Sequence, residues 1–239
     1  MMAEQTVEGD LEVEYNRMLD KGICLSGEKK DFFMAGRISN LIEILPSSFN
    51  PEMILDYGCG IGDTTVFLSE KLPNSSVVGV DVDDKIIDYA RGKHGGGRVS
   101  FKTFDELVEE DFFDLCYVNG VLHHVAPSER LSYLEKIFSV LKHGGFFSLF
   151  ENNPFNPGTR LVMKRIPFDK DAIPLSFLEA ERLLGQSGFT HHATRFLFFF
   201  PKCLKIFRFM EQWFKRIPLG AQYLVLAKKP ESPPSKKDI

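Results

Sequence analysis

Between residues 53 and 151 short apolar runs alternate with amphipathic stretches. "MILDYG" is followed by "TTVFLSEKL", "SVVGVD" by "DDKIIDYARGKH", and "FDLCYVNG" by "SERLSYLEKIFSVLK". With "RVSFKTFD" and "GGFFSLFE" these runs give five strand candidates, short and rich in β-branched and aromatic residues. Strands alternating with helices predict an α/β fold whose parallel sheet is covered on both faces. Further on, "PLSFLEAERLLGQSGF" reads as a helix opened by a capping box from Ser176 to Glu179 and closed at Gly188. "HHATRFLFFF" and "AQYLVLAKK" supply two more strands. Upstream, Leu11 to about Ile44 is helix-patterned and broken between Gly22 and Gly27.

No linker divides the chain. The expected organisation is a helical N-terminal lid over 1–50, one domain over 51–230, and a disordered tail over 231–239, "ESPPSKKDI". Segments 152–175 and 201–220 are insertions that cap the domain. The second of these separates the last two strand candidates. At 100° per residue Cys203, Ile206, Phe207, Phe209, Met210, Trp213 and Phe214 share one face. Lys205, Arg208, Gln212, Lys215 and Arg216 occupy the other. Three readings compete for such a helix: a roof over the domain, a wall of an apolar substrate pocket shared with "RFLFFF", or a basic amphipathic helix lying on an anionic membrane surface through 201–216.

Composition narrows the function classes. A net charge of −4 and a pI of about 5.9 give no global attraction to nucleic acid. Cys24, Cys59, Cys116 and Cys203 are scattered without a CxxC pair, so reduced thiols, a cytoplasmic setting and no metal site are expected. No apolar run approaches the ~20 residues that span a bilayer, so any membrane contact is peripheral.

The chemistry concentrates in "DYGCGIG", which places Asp56 at a strand end and glycines at 58, 60 and 62. The next strand ends in Asp81, where a carboxylate can accept hydrogen bonds from both hydroxyls of a ribose. A dinucleotide site wants GxGxxG; here the spacing is GxGxG and position 63 is Asp. An acid at a helix start repels a pyrophosphate but suits an ammonium or sulfonium charge, which disfavours an NAD-dependent oxidoreductase.

"ILDYGCGIGDTT" followed by "VVGVD" resembles the first two motifs of the class I S-adenosylmethionine-dependent methyltransferases, in their small-molecule branch. The resemblance covers roughly residues 53–151 and the last two strands. It implies a Rossmann-like, seven-stranded, mostly parallel sheet whose last strand is antiparallel. It implies Gly58 and Gly60 against the methionine end of S-adenosylmethionine, near Asp56, and Asp81 on the ribose. Val82 and Phe104 would flank the adenine or else be plain core, Asp105 would meet the adenine amine, and Asn119 the methionine portion. Tyr15, Phe33 and Arg37 are the lid contacts to expect. The acceptor would be a hydroxyl or carbon of a small metabolite, such as a quinone or a sugar- or lipid-linked compound; the non-catalytic alternative is a cofactor-binding partner subunit.

Asn153-Pro154-Phe155 is similar to the Asn/Asp-Pro-aromatic signature of enzymes that methylate exocyclic amines of bases. That signature follows the fourth strand, whereas "ENNPFNP" follows the fifth and "VLHHV" follows the fourth. With the acidic pI, nucleic acid is rejected as the substrate. Ligands of open α/β sheets bind beyond the carboxyl ends of the strands. Glu151, Asn152, Asn153, His123 and His124 therefore face the substrate side, and one histidine can serve as general base, with His191 and His192 structural. Arg160, Lys164 and Arg165 are solvated cations or contacts for an acidic substrate group.

Overall fold

The computed structural model of the chain describes residues 2–165 and 172–231, with residues 2–11 and 15 given by backbone alone. Two N-terminal helices, α1 (Met2–Ile23) and α2 (Lys30–Ile44), precede the alternating region. Then follow β1 (Met53–Tyr57), α3 (Asp63–Lys71), β2 (Ser76–Asp81), α4 (Asp84–His94), β3 (Val99–Thr103), β4 (Phe113–Asn119), α5 (Arg130–Val140) and β5 (Leu141–Asn152). The chain closes with α6 (Pro157–Met163), α7 (Phe177–Gln186), β6 (Thr190–Leu197), α8 (Glu211–Phe214) and β7 (Gln222–Lys228).

The seven strands form one sheet in the order β3-β2-β1-β4-β5-β7-β6. The first five are parallel, and β7 runs antiparallel between β5 and β6. Alternation along each strand sorts the core into two layers, because successive side chains point to opposite faces. Leu55, Cys116, Val118, Phe147 and Leu149 pack with Leu134 and Ile137 of α5 and Leu183 and Leu184 of α7. Ile54, Leu115, Tyr117, Phe146 and Phe150 pack on the other face with Ile38 and Leu41 of α2 and Leu68 of α3. Truncating a fully buried leucine such as Leu115 to alanine costs about 2–5 kcal/mol.

β6 points the same way as the parallel strands but is an edge strand, and the one strand it pairs with is antiparallel β7. Two expectations need correction. First, the capping box of α7 is half built. Ser176 Oγ accepts from Glu179 N at 3.2 Å, but the Glu179 carboxylate is taken at 3.0 Å by Arg130, a buried cation whose charge outcompetes a reciprocal cap.

Second, the 201–220 insertion is not one α-helix. Residues 202–210 wind as a 3-10 turn with a kink at Leu204, and only Glu211–Phe214 is α-helical. The reason is tethering at both ends. Glu211 accepts from the amides of Phe199 and Phe200 at 3.1 and 3.0 Å, Arg208 Nε donates to Phe200 O at 3.1 Å, and Phe196 N donates to Lys215 O at 2.8 Å. A segment that must leave and return over so short a span winds tightly, and three-residue winding aligns positions i and i+3. Cys203, Ile206 and Phe209 thus share a line, and all three are exposed rather than roofing the core. Within the 152–175 insertion, residues 166–171 lie outside the described residues, as does the tail from 232 onward.

Candidate active site

The turn from β1 to α3 is built on glycines with positive φ. Gly58 has φ +81°, and a Cβ there would sit 2.3 Å from Val121 Cγ2; at Gly62, φ +88°, it would sit 2.7 Å from the Phe101 ring. Two of the three glycines are thus required by the protein's own packing as well as by any ligand. The loop is moored to β2: Gly58 N and Cys59 N donate to Val80 O at 2.8 and 2.9 Å, and Gly60 N donates to the Asp81 carboxylate at 2.9 Å.

Behind the loop Asp56 is buried, with Thr65 Oγ1 donating to it at 2.7 Å. Burial pushes its carboxyl up to about 7, the Thr65 hydrogen bond opposing this only in part. Cys59 lies in the loop, where burial pushes its thiol far up and makes it a poor nucleophile. Asp63, at the start of α3, is met by Lys30 Nζ of α2 at 2.6 Å, and the same ammonium donates to Asn16 Oδ1 of α1 at 2.8 Å. The acids at positions 56, 63 and 81 surround this turn, and Lys30 is the ammonium that pairs with Asp63. That donor set fits a cationic nucleoside ligand and opposes a pyrophosphate.

Across the sheet, β4 and β5 end side by side. Gly120 N donates to Phe150 O at 2.9 Å, which turns the chain sharply after Asn119. In that turn His123 is buried, its Nδ1 lying 2.5 Å from Glu151 Oε2, while Glu151 Oε1 accepts from Leu122 N at 2.8 Å. The His124 ring centroid is 4.2 Å from that of His123. From α2, Arg37 donates to the Tyr117 hydroxyl and to Gln222 Oε1, both at 3.2 Å, and Gln222 donates on to Asn152 Oδ1. Phe198, just past β6, adopts φ +62° and sets its ring tilted against Phe32 at 5.6 Å and edge-on to Phe33 at 5.0 Å. A side chain at Gly36 would collide with that ring at 2.5 Å.

These groups surround a cavity of about 580 Å³. Arg37, Asn119, His123, His124, Glu151 and Gln222 are among its polar lining residues, and Ile23, Phe32, Phe33, Val162, Phe198 and Phe199 among its apolar ones. Of the residues named from sequence, the structure brings Asn119, His123, His124, Glu151, Asn152, Phe33 and Arg37 together here. Asp56, Gly58, Gly60, Asp81, Val82, Phe104 and Asp105 do not line it, although their loop neighbours Cys59 and Ile61 do. They continue from the loop along the ends of β2 and β3. Val82 is 67 % exposed and so is not core, whereas Phe104 stacks on Tyr57 at 4.5 Å and packs against the core. The side chain of Tyr15 lies outside the described residues. His191 hydrogen-bonds Thr194, and His192 meets the Phe146 ring.

Asn153 turns out to be a clamp. Its amide nitrogen donates to Pro218 O and Gly220 O, and its carbonyl accepts from Phe155 N. Sequence reasoning missed Gln222 and Lys30. Gln222 could have been found: as the first residue of an antiparallel strand it lies at the carboxyl ends of the parallel ones, opposite Asn152.

Comparison with known proteins agrees with this geometry. Residues 54–145 match the methyltransferase domain family. The chain is 25% identical over 172 residues to the carboxy-S-adenosyl-L-methionine synthase of Campylobacter hominis, covering 62% of this chain and 74% of that one. It is 29% identical over 119 residues to a demethylmenaquinone methyltransferase of Lactobacillus johnsonii, covering 46% of this chain and about half, 48%, of the relative. A S-adenosylmethionine-dependent methyltransferase structure from Archaeoglobus fulgidus superimposes with a TM-score of 0.63 at 18% identity, over 83% of this chain and 94% of that one. With its seven-stranded sheet, its GxGxG turn and the acid ending β2, the chain carries over residues 54–145 a methyltransferase domain of the class I S-adenosylmethionine-dependent kind.

Proposed function

We propose that the protein methylates a hydroxyl or carbon of a small acceptor with a substantial apolar part, using His123 as general base. The observation that carries this reading is the buried His123–Glu151 pair in the lining of a cavity to which Phe32, Phe33, Val162, Phe198 and Phe199 also contribute. When bound, S-adenosylmethionine supplies a sulfonium methyl that is transferred as the C–S electron pair returns to sulfur. Gly58, Gly60 and Asp81 would hold it with Asp56 and Asn119, Val82, Phe104 and Asp105 would take the adenine, and helices α1 and α2 would close over it as a lid.

The remaining work falls to the chain's own side chains. Glu151 accepts the Leu122 amide at Oε1 and meets His123 Nδ1 at Oε2, an arrangement in which a carboxylate would fix the proton on Nδ1. That leaves Nε2 as the basic nitrogen of the ring, the atom that receives the acceptor's proton as its oxygen or carbon bonds to the methyl. Arg37, anchored by Tyr117 and Gln222, presents a fixed cation to a carboxylate. The apolar lining excludes water and holds the acceptor's hydrocarbon part; the demethylmenaquinone methyltransferase relative supports a quinone among the acceptors to try.

The test is a transfer assay with labelled S-adenosylmethionine against quinone, lipid-linked and polar sugar acceptors. Turnover confined to acceptors with apolar tails supports the reading. Turnover with polar acceptors alone, or binding of S-adenosylhomocysteine with no turnover on any acceptor class, would sink it.

A further inference from the structure

The stretch between β6 and β7 leaves its largest apolar side chains in water. Ile206 is 74 % exposed, Phe209 64 % and Trp213 63 %. Single exposed apolar residues are ordinary, but several on one short segment mark a face made for contact. The same segment, 202–216, carries five cations against one acid, in a chain of net charge −4. The acid, Glu211, is turned inward onto the Phe199 and Phe200 amides. Arg208 pairs with Glu28 and Lys215 with Glu43, while Lys202, Lys205 and Arg216 are exposed and make no ion pair among the described residues.

Charge selects the occupant. A symmetric contact between two copies would set the same cations against each other, since in such an interface the same patch faces itself. A layer of anionic headgroups over acyl chains matches both features: the aromatic and aliphatic tips enter the interface, and lysine and arginine stay at headgroup level. The face also borders the cavity. Arg208 lines it from this segment and Pro201 from just before it, and Leu161 of α6 lines it too, next to exposed Arg160.

We propose that residues 202–216 dock the protein on an anionic bilayer, with Ile206, Phe209 and Trp213 inserted and Lys202, Lys205 and Arg216 on the headgroups. The docking stands independently of the methylation chemistry; that it delivers an apolar acceptor from the lipid to the cavity rests on the proposed function.

Trp213 is the one tryptophan of the chain, so its emission reports this face directly. The full chain, first shown to bind S-adenosylhomocysteine, is titrated with vesicles of phosphatidylcholine alone and of phosphatidylcholine with phosphatidylglycerol, and sedimented with each. The expected result is a blue shift and cosedimentation with the anionic vesicles, reversed by about 0.5 M salt. The pair Lys202→Glu/Lys205→Glu and, separately, Phe209→Glu each lower vesicle partitioning about tenfold or more, with S-adenosylhomocysteine binding unchanged. A folded, cofactor-binding wild type that ignores anionic vesicles overturns the proposal, as do variants that bind them equally well. A dimer with Trp213 already shielded before vesicles are added assigns the face to a second copy instead. None of these results bears on turnover with soluble acceptors, so the methylation reading survives or fails separately.

Discussion

His123 and Glu151 lie 28 positions apart in sequence, yet Nδ1 of one is 2.5 Å from Oε2 of the other, both side chains buried where β4 and β5 end. Replacing Glu151 with Gln keeps an acceptor oxygen for the Leu122 amide but offers His123 an N–H in place of a carboxylate oxygen. The neutral ring then carries its proton on Nε2, and Nδ1, facing the Gln amide, becomes its unprotonated nitrogen. Glu151→Gln is expected to lower kcat by about 10²- to 10⁴-fold. Calorimetric affinity for S-adenosylhomocysteine stays unchanged. An equal loss of affinity and rate would point to a structural pair instead.

Asp56 makes stability and cofactor binding depend on pH in opposite senses. Burial raises its folded-state pKa from the ordinary 3.8 to about 7, so the folded state binds a proton that the unfolded state has already released. The group's stabilising effect is complete below about 4, falls as pH rises, and is gone above about 7. A cationic ligand beside it favours the ionised carboxylate, so S-adenosylmethionine affinity climbs through the same window with release of a proton. Denaturation midpoints and titrations in buffers of different ionisation enthalpy, on wild type and Asp56→Asn, check both slopes. The Asn variant should flatten both.

Gly58 is fixed by geometry on both sides of its backbone. Its φ of +81° is strained for an L side chain, and a methyl there would meet Val121 Cγ2 at 2.3 Å. Gly58→Ala should destabilise the fold by about 2–4 kcal/mol, the sum of overpacking and backbone strain. Adding Val121→Ala relieves the contact but leaves the φ strain, so thermal melts should show partial recovery. Full recovery would mean that only the contact matters.

The sequence makes the sheet's first five strands and the cofactor loop legible because each signal is local. A strand ending in Asp, a glycine turn and a helix start lie within one short window, and the strand-helix alternation sets the parallel order. What stays hidden depends on distance or on tethering. Arg37 reaches Gln222 across 185 positions and Lys30 reaches Asp63 across 33, and no periodicity encodes such pairs. The 201–220 segment misleads in a different way. Its residues carry a helical moment, but hydrogen bonds at its two ends wind it as a 3-10 turn and move Ile206 and Phe209 outward. Local patterning describes what a free segment prefers, and this one is held at both ends.

Asn153 shows how a motif's residues can be kept for packing alone. Buried at the end of β5, it donates to Pro218 O at 3.1 Å and Gly220 O at 2.8 Å and accepts from Phe155 N at 3.1 Å, so it ties β5 to the chain entering β7. Asn153→Ala strands two carbonyls and an amide in or near the interior, a loss of about 1–3 kcal/mol for each group left without water. Asn153→Asp keeps the Phe155 bond but sets a carboxylate against the two carbonyls, and should be the worse of the two. Because the side chain serves the backbone rather than an acceptor amine, either variant that remains folded should keep the wild-type kcat, with the damage read in the unfolding midpoint. A folded Asn153→Ala enzyme with kcat down a hundredfold or more would instead place Asn153 at the reacting atoms and reopen amine methylation.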